Sequence, residues 1–256
     1  MSEIVTIPPL NLSMNFRFVT AVIPVLDEEG SIGHVVTGLL QRGVGQVIVA
    51  DNGSRDLSRE VARNSGATVV QAERRGYGSA CLVGLAALPN TTLAVLFCDG
   101  DGADDLEALS ALCEPVLTDK VDLMVGSRSL GGAENGALSW PQRTGNLVAS
   151  TMLRMIFQQR VTDLGPFRCI SIRALKLLGM SDPNFGWTAE MQTKALRRGL
   201  RYREVPVRAL CRKAGVSKIS GCWPAVFRAG WCILSTIARH GLGPSGRSPG
   251  KSSVNL

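Results

Sequence analysis

The stretch Leu93-Ala-Val-Leu-Phe-Cys-Asp-Gly-Asp101 decides the fold of this chain. Its apolar run predicts a buried strand, and Asp99 and Asp101 follow where that strand ends. Because side chains two apart on a strand point the same way, the two carboxylates can face one ion. Oxygen ligands favour Mg²⁺ or Mn²⁺, and such a cation would neutralise a diphosphate leaving group. Taken alone, the pair is also compatible with a solvated acidic turn, so its meaning depends on the surrounding sequence.

Short apolar runs alternate with helical patterns on both sides of this stretch. Strands are predicted at 18–23, 46–50, 67–71, 92–98 and 121–125, and helices at about 31–42, 56–64, 77–88 and 104–117. This alternation is typical of parallel βαβ units and predicts an α/β fold with a mostly parallel central sheet and helices on both faces. Ligands of such sheets bind at the carboxyl ends of the strands. The candidate residues there are Asp27, Glu28, Asp51, Asp99, Asp101 and Arg128.

The second half is less regular. Helices are predicted at 143–159, 174–178 and 188–198, a turn into a strand at 163–168, and an edge strand at 202–207, since Pro206 cannot donate to a ladder. A last helix, within 221–240, carries a narrow polar stripe that includes Arg228 and Arg239. This pattern predicts an amphipathic helix that packs on the domain or lies at a bilayer surface. The predicted organisation is a flexible leader (1–15), a catalytic domain (16–220), the amphipathic helix and a flexible tail (241–256).

Composition narrows the class of protein. With 45% hydrophobic and 19% charged residues, a chain of 256 residues can bury a large core. Its seven cysteines show no C-x-x-C and no zinc spacing, and no secretion signal or transmembrane segment is evident, which predicts a cytoplasmic protein. The net charge of +7 comes from the C-terminal quarter and indicates an anionic partner. We expect phosphates or a lipid surface rather than nucleic acid, because no nucleic-acid-reading motif is present.

Three segments resemble the family 2 glycosyltransferases, which have the GT-A nucleotide-sugar-binding fold. Pro24-Val-Leu-Asp-Glu28 is similar to the family's P-x-Y-N-E segment, Asp51-Asn-Gly-Ser-Arg-Asp56 to its D-D-G-S-x-D segment, and Asp99-Gly-Asp101 to its metal-binding motif. Leu26, Asp27 and Asn52 depart from the pattern and leave a UDP- or GDP-sugar open. The resemblance implies a nucleotide-sugar site made of Pro24, Leu26, Glu28, Asp51, Gly78, Asp99, Gly100 and Asp101. It implies that Asp99 and Asp101 hold Mg²⁺ or Mn²⁺.

Two other segments resemble known motifs only in part. Gly76-Tyr-Gly-Ser-Ala-Cys81 nearly matches a dinucleotide fingerprint, but it follows the third strand rather than the first and ends in Cys. Its glycines let the backbone approach a ligand or simply form a tight turn. The segment from Asp99 to Asp105 resembles an EF-hand loop, but Asp104 stands where that loop needs Gly.

The second half resembles the polyprenyl-phosphate branch of the family, through segments at 126–128, 163–168, 186–192 and 212–218. The resemblance implies that Arg128, Arg143, Arg212 and Lys218 surround donor and acceptor phosphates. It also implies inverting, metal-dependent transfer of a hexose to a polyprenyl phosphate, with Asp101 catalytic as a metal ligand. An ionised phosphate acceptor needs little proton removal, whereas a hydroxyl needs a base, for which Glu190 and then Asp163 are the candidates.

Two alternatives stay open. The first is a family 2 glycosyltransferase with a soluble acceptor, either phosphorylated or a hydroxyl compound. The second is a nucleotide-sugar-binding protein without turnover, against which the intact acidic pair argues. Oligomeric state is not readable from the sequence.

Overall fold

The structure, a computed structural model, describes residues 16–213 and 223–242, with the backbone alone over 223–227. Strands and helices alternate through the first half, as predicted. The strands are β1 (Val19–Val25), β2 (Gln46–Asp51), β3 (Thr68–Gln71), β4 (Ala94–Phe97), β5 (Leu123–Ser127), β6 (Arg168–Ser171) and β7 (Tyr202–Pro206). The helices are α1 (Ile32–Gln41), α2 (Ser58–Asn64), α3 (Tyr77–Ala86), α4 (Leu109–Leu117), α5 (Arg128–Gly131), α6 (Trp140–Phe157), α7 (Ile172–Leu178), α8 (Trp187–Arg197) and α9 (Trp223–Leu242). The predicted leader and all but the first two residues of the predicted tail lie outside the described residues.

The seven strands of the described residues form one sheet in the order β3-β2-β1-β4-β6-β5-β7. Parallel pairs join β1 to β2 and β4, β2 to β3, and β5 to β7. β6 lies between β4 and β5 and is antiparallel to both. The mostly parallel sheet and the edge position of the strand carrying Pro206 are therefore confirmed. Because β6 is reversed, the loop that enters it lies at the same edge of the sheet where β4 and β5 end.

Apolar side chains cover both faces of the sheet. On one face, Ile23 packs with Leu39 of α1 and Leu112 of α4. On the other, Phe97 meets Trp187 of α8 edge to face, with the ring centroids 5.9 Å apart. Successive side chains of each strand point to opposite faces of the sheet, and helices cover both faces. The predicted position of helices on both faces is therefore confirmed.

Helices α6 and α9 differ from their predicted bounds. α6 begins at Trp140 rather than at residue 143, because Ser139 and Gln142 form a capping box and Pro141 suits the first turn. α9 extends to Leu242 and packs on α6 and α8, with Ile237 buried and Trp231 76% exposed, so the amphipathic helix is confirmed. Among the described residues, none of the helices has the length and apolarity needed to cross a bilayer.

Asp122, before β5, stabilises the edge of the sheet opposite the ends of β4 and β5. Its carboxylate accepts hydrogen bonds from Arg201 Nε at 3.0 Å and Arg173 Nη2 at 2.8 Å. The hydrogen bonds from Arg201 outweigh burial and lower the pKa of Asp122. Because its pKa is lowered in the folded state, the Asp122 carboxylate contributes to the free energy of unfolding above its unfolded-state pKa, near 4. That contribution is lost as the pH falls through the folded-state pKa.

We therefore expect Asp122→Asn to reduce the free energy of unfolding by about 2 kcal/mol at pH 7, since charged hydrogen bonds are lost. The difference from the parent should shrink as the pH is lowered toward 3. Urea unfolding at both pH values measures this, with exposed Glu60 changed to Gln as the control. An equal difference at both pH values would contradict the assignment.

Candidate active site

A cleft of about 530 Å³ opens at the edge of the sheet where β1, β4 and β5 end. Loops after β1, β2, β3 and β4 form one side, and α9 with the loops before β6 and α8 forms the other. The cleft brings together eight of the predicted site residues: Pro24, Leu26, Glu28, Asp99, Gly100, Asp101, Arg128 and Arg212.

Two carboxylates lie at the centre of the cleft. Asp101 is buried, and its Oδ1 accepts the backbone N–H of Ala103 at 2.9 Å. Asp99 accepts a hydrogen bond from the Tyr77 hydroxyl at 3.1 Å. Burial, and then the charge of Asp101, raise the pKa of Asp99 to about 7. A carboxyl group whose ionisation is disfavoured by burial and by a neighbouring carboxylate lies in an environment that a bound cation would stabilise.

The donor set fits a hard divalent cation that takes further ligands from a substrate. Within 16–213 and 223–242, no three His, Cys, Asp or Glu side chains are grouped to hold a metal. Mg²⁺ is commonly bound through one or two carboxylates together with substrate phosphates and water, rather than in an all-protein cage. Asp99 and Asp101 are the residues that would hold such an ion.

Arg128 follows β5 and is fixed by Asp163. Its Nε and Nη2 donate to the two oxygens of Asp163 at 3.0 and 2.7 Å. Burial opposes the charge on Arg128, but the pair with Asp163 outweighs burial and raises the pKa of Arg128. Asp163 is 1% exposed and lies behind Arg128 rather than on the cleft wall. The contacts of Asp163 are thus those of a residue that positions Arg128, and its role as a base stays a prediction.

A buried polar network fixes the loop that carries Asp163. Glu204 on β7 accepts hydrogen bonds from the backbone N–H and the hydroxyl of Thr162 at 2.8 and 2.6 Å. Arg168 at the start of β6 is fully buried, and its Nε donates to the Gly165 carbonyl at 2.9 Å. Burial lowers the pKa of Arg168. The orientation of Arg128 therefore depends on residues that never reach the cleft.

Arg212 enters the cleft from the segment after β7. Its Nη2 lies 3.0 Å from Asp101 Oδ2, and its Nη1 lies 3.6 Å from Glu28 Oε1. The backbone beside it is fixed, because Leu210 N–H donates to the Ala103 carbonyl at 2.9 Å. The predicted phosphate-binding arginine thus contacts one member of the acidic pair, Asp101, directly.

Glycines at the start of α3 let the 182–185 loop reach the cleft. Gly76 has φ of +151°, and a Cβ there would lie 2.1 Å from the Pro183 carbonyl oxygen. A Cβ on Gly78 would lie 1.9 Å from the Asp182 carbonyl oxygen. Gly78 is therefore a site of close backbone approach, while Gly76 and Tyr77 line the cleft.

An apolar wall lines the side of the cleft that α9 and the loops before β6 and α8 form. It consists of Leu164, Pro166, Phe185, Ala229 and Ile233, with the exposed Arg228 beside it. Ala229 and Ile233 share one face of α9 because they are four residues apart on a helix. The cleft therefore combines charged groups with apolar side chains from α9 and from the loops before β6 and α8.

Besides Asp163 and Gly78, three predicted site residues of the described part lie away from the cleft wall: Asp51, Arg143 and Glu190. Asp51 is buried, and its carboxylate accepts the backbone N–H groups of Gly53 and Ser54, so its neighbour Asn52 lines the cleft instead. Arg143 is exposed on α6 and lines no part of the cleft. Lys218 lies outside the described residues.

Glu190 is the third. Its buried carboxylate accepts the backbone N–H groups of Ser181 at 3.1 Å and Asp182 at 2.8 Å, and Lys194 Nζ lies 2.6 Å away. Burial alone would raise the pKa of Glu190, but Lys194 and these backbone donors together lower it. A carboxylate with a lowered pKa and no place on the cleft wall is a poor base. Its contacts hold the 181–182 turn, and its role as a base stays a prediction.

We accordingly expect Glu190→Gln to lower kcat less than tenfold, whereas losing a general base costs about 10² to 10⁴. The free energy of unfolding should fall by about 2 kcal/mol, because charged hydrogen bonds to buried groups are lost. Initial rates at saturating substrate and thermal melting measure the two effects, with exposed Glu60→Gln as the control. A hundredfold loss of kcat with an unchanged melting temperature would instead support Glu190 as the base.

Sequence reasoning missed several cleft residues: Asn52, Arg75, Tyr77, Leu164, Pro166, Asn184, Phe185, Thr188, Arg228, Ala229 and Ile233. Tyr77 had a usable signal, since it follows a glycine at the junction of a strand and a helix. The apolar residues had none, because they resemble ordinary core positions until the fold brings them together.

Comparison with known proteins identifies the family. Residues 20–178 match the model of glycosyl transferase family 2, so the chain belongs to that family of glycosyltransferases. An uncharacterised glycosyltransferase of Mycobacterium tuberculosis is 36% identical over 205 residues, which cover 79% of this chain and 90% of that protein. The undecaprenyl-phosphate mannosyltransferase of Micrococcus luteus is 27% identical over 218 residues, 79% of this chain and 88% of that protein.

Solved structures share the fold. Glucosyl-3-phosphoglycerate synthase from Mycobacterium tuberculosis, in complex with Mn²⁺, UDP and glucosyl-3-phosphoglycerate, superimposes with a TM-score of 0.70 at 23% identity. The match covers 90% of this chain and 82% of that chain. The predicted GT-A fold is confirmed, and at this identity the likeness concerns the fold alone.

Proposed function

We propose that this glycosyltransferase moves a hexose, with inversion, from a UDP- or GDP-sugar to a polyprenyl phosphate. The observation that carries the proposal is the cleft itself, in which arginines and an acidic pair adjoin an apolar wall. A phosphorylated polyprenol has the same two parts, an anionic head and an apolar chain. The relationship to an undecaprenyl-phosphate mannosyltransferase supports the same acceptor class.

The acidic pair suits the donor. Asp99 and Asp101 are the residues for Mg²⁺ or Mn²⁺, and solved synthase structures that share this fold hold Mn²⁺ with UDP-glucose. When bound, the cation supplies charge that stabilises the departing diphosphate. Pro24, Leu26, Glu28 and Asn52 line the part of the cleft nearest β1 and β2 and would contact the nucleoside.

The arginines suit the acceptor and the leaving group. Arg128, held by Asp163, and Arg212 present guanidinium groups to phosphate oxygens. In the transfer, an acceptor phosphate oxygen forms a bond to the anomeric carbon, and the bond from that carbon to the diphosphate oxygen breaks. The bonding electron pair leaves with the diphosphate. An ionised phosphate monoester needs no base, which agrees with both predicted bases being engaged elsewhere.

The experiment is a transfer assay with the purified full chain. UDP-glucose or GDP-mannose, Mn²⁺ and farnesyl phosphate should give a glycosylated lipid phosphate, and farnesol should not replace farnesyl phosphate. Transfer to 3-phosphoglycerate but not to farnesyl phosphate would establish the soluble-acceptor alternative. Binding of the nucleotide sugar with no transfer to any acceptor would establish the non-catalytic one.

The apolar wall can be tested separately. We expect Ile233→Ala to raise KM for farnesyl phosphate about tenfold, because several buried methylene equivalents are lost at about 0.8 kcal/mol each. KM for the nucleotide sugar should not change. Leu177→Ala on α7 is the matched control, since Leu177 is exposed and lies outside the cleft. An unchanged KM for farnesyl phosphate in Ile233→Ala would exclude this wall from acceptor binding.

We also propose that α6 contacts the bilayer surface from which such an acceptor comes. Trp140, Leu147 and Met155 lie on one face of α6 and are 72%, 60% and 71% exposed. Exposed Arg143 and Arg154 adjoin this face and would pair with anionic headgroups. Co-sedimentation with phosphatidylglycerol vesicles tests this: Met155→Glu should weaken it, whereas Leu177→Glu should not. Equal sedimentation of both variants would exclude α6 as the contact.

A further inference from the structure

We propose that Arg212 occupies, before the nucleotide binds, the position on Asp101 that the divalent cation takes in the loaded enzyme. Arg212 then transfers to phosphate oxygens as cation and nucleotide bind together. The inference deepens the proposed function and rests on it, since it assigns to Arg212 the coupling between metal and donor binding.

Both carboxylate oxygens of Asp101 already have a partner. One of its oxygens is used by the backbone of Ala103, and the other faces Arg212 Nη2 at 3.0 Å. The second guanidinium nitrogen lies 3.6 Å from Glu28. The cleft-facing oxygen of Asp101 therefore already has a cationic partner. A divalent cation on that oxygen would be repelled by the guanidinium at contact distance, so the two compete for it.

The backbone of Arg212 is fixed, whereas its side chain makes only single-nitrogen contacts. Its backbone is fixed by neighbours on both sides, since Leu210 N–H donates to Ala103 O and Lys213 N–H donates to Asp101 O at 2.9 and 3.2 Å. Its side chain is 32% exposed and meets each carboxylate through a single nitrogen. Arg128 is different, because Asp163 holds it through two parallel bonds. Arg212 can thus exchange partners while its backbone stays in place.

The exchange of partners by Arg212 depends on the nucleotide. A guanidinium matches the oxygens of a phosphate in a two-point geometry, which Arg212 does not make with Asp101. A nucleotide diphosphate offers such oxygens beside the acidic pair. Without nucleotide, the cation must displace Arg212 from Asp101, and Arg212 gains no phosphate contact. With nucleotide present, Arg212 gains phosphate contacts as it leaves Asp101, so each ligand strengthens the binding of the other.

The test measures Mn²⁺ binding, by electron paramagnetic resonance of the free ion, with and without UDP. Without UDP, Arg212→Gln should bind Mn²⁺ about tenfold more tightly than the parent chain, within the usual range of such couplings. The factor by which UDP strengthens Mn²⁺ binding should fall by about tenfold or more in the variant. Reciprocity requires the same fall in the factor by which Mn²⁺ strengthens UDP binding.

Arg208→Gln is the matched control. Arg208 lies on the same segment, but its side chain is 64% exposed and pairs with Glu134. If loss of any nearby positive charge tightened Mn²⁺ binding, both variants would show it. Arg212→Lys, which keeps the charge but not the planar fork, should fall between the parent and Arg212→Gln, and it decides the matter if Arg212→Gln does not fold.

Two results would overturn the inference. One is unchanged or weaker Mn²⁺ binding by nucleotide-free Arg212→Gln, and the other is equal tightening in Arg208→Gln. These outcomes are separable from failure of the proposed function. A parent chain that binds Mn²⁺ and UDP with the expected coupling but transfers no sugar would reject the function alone.

Discussion

Asp101→Asn should lower kcat/KM for sugar transfer by about 10³-fold or more. The reason is that the transition state loses several kcal/mol of stabilisation when the charge on a departing diphosphate is no longer neutralised. Asp101 is buried at the centre of the cleft and aims one oxygen into it. Asn keeps the shape and the hydrogen bond to Ala103 but loses the charge that a hard cation requires. Transfer of labelled sugar at saturating Mn²⁺ measures the effect.

Asp105→Asn is the control for Asp101→Asn, since Asp105 is a nearby acid whose carboxylate accepts the backbone N–H of Glu107 at 3.2 Å. Melting temperatures establish that both variants are folded. The parent chain should also lose activity in excess chelator and regain it on addition of Mn²⁺. Full activity of Asp101→Asn, or of the parent in chelator, would reject the metal assignment.

Asp163→Asn should lower kcat/KM by about 10²-fold, although its side chain does not line the cleft. The reason is that Arg128 loses the partner that fixes its orientation, and a misdirected donor costs about as much as a missing one, about 10² to 10³ in rate. Removal of one member of a buried ion pair also costs about 3 to 5 kcal/mol in stability. Activity should therefore be measured well below the melting temperature of the variant.

A double-mutant cycle separates positioning from a general loss of structure. If Asp163 acts through Arg128, then Asp163→Asn combined with Arg128→Gln should be no less active than Arg128→Gln alone. If the losses multiply instead, Asp163 has a role of its own, such as the base that its sequence position suggested. Asp122→Asn gives the control for a destabilised variant with an intact cleft.

The fold was largely predictable because its strongest signals are local. Buried strands such as Ala94–Phe97 are short apolar runs, and acids at their ends follow from chain direction in a parallel sheet. The reversed direction of β6 was not predictable, because nothing in Arg168–Ser171 records which neighbours it will pair with. The start of α6 was missed although Ser139, Pro141 and Gln142 provided a readable signal.

Site residues were predictable where their position after a strand determines their place in the cleft. They were not predictable where contacts with residues distant in the sequence determine their environment. Asp101 follows a strand end and faces the cleft as expected. Glu190 looked like a base because it is an acid in a matching segment, but tertiary contacts with Ser181 and Lys194 occupy it. Phe185 and Ile233 are ordinary apolar residues, and only the packing of α9 beside the 182–185 loop gives them a shared surface.

The reversed strand β6 has a consequence for how this enzyme can diverge. In the proposed function, the first four strands carry the acids for the nucleotide sugar, whereas the segments before β6 and α8, together with α9, carry the wall for the acceptor. The two functions are thus encoded in separate stretches of gene. Exchanging residues 158–167 and 181–186 for those of a relative would retarget the enzyme to another recipient while its choice of activated sugar is inherited unchanged.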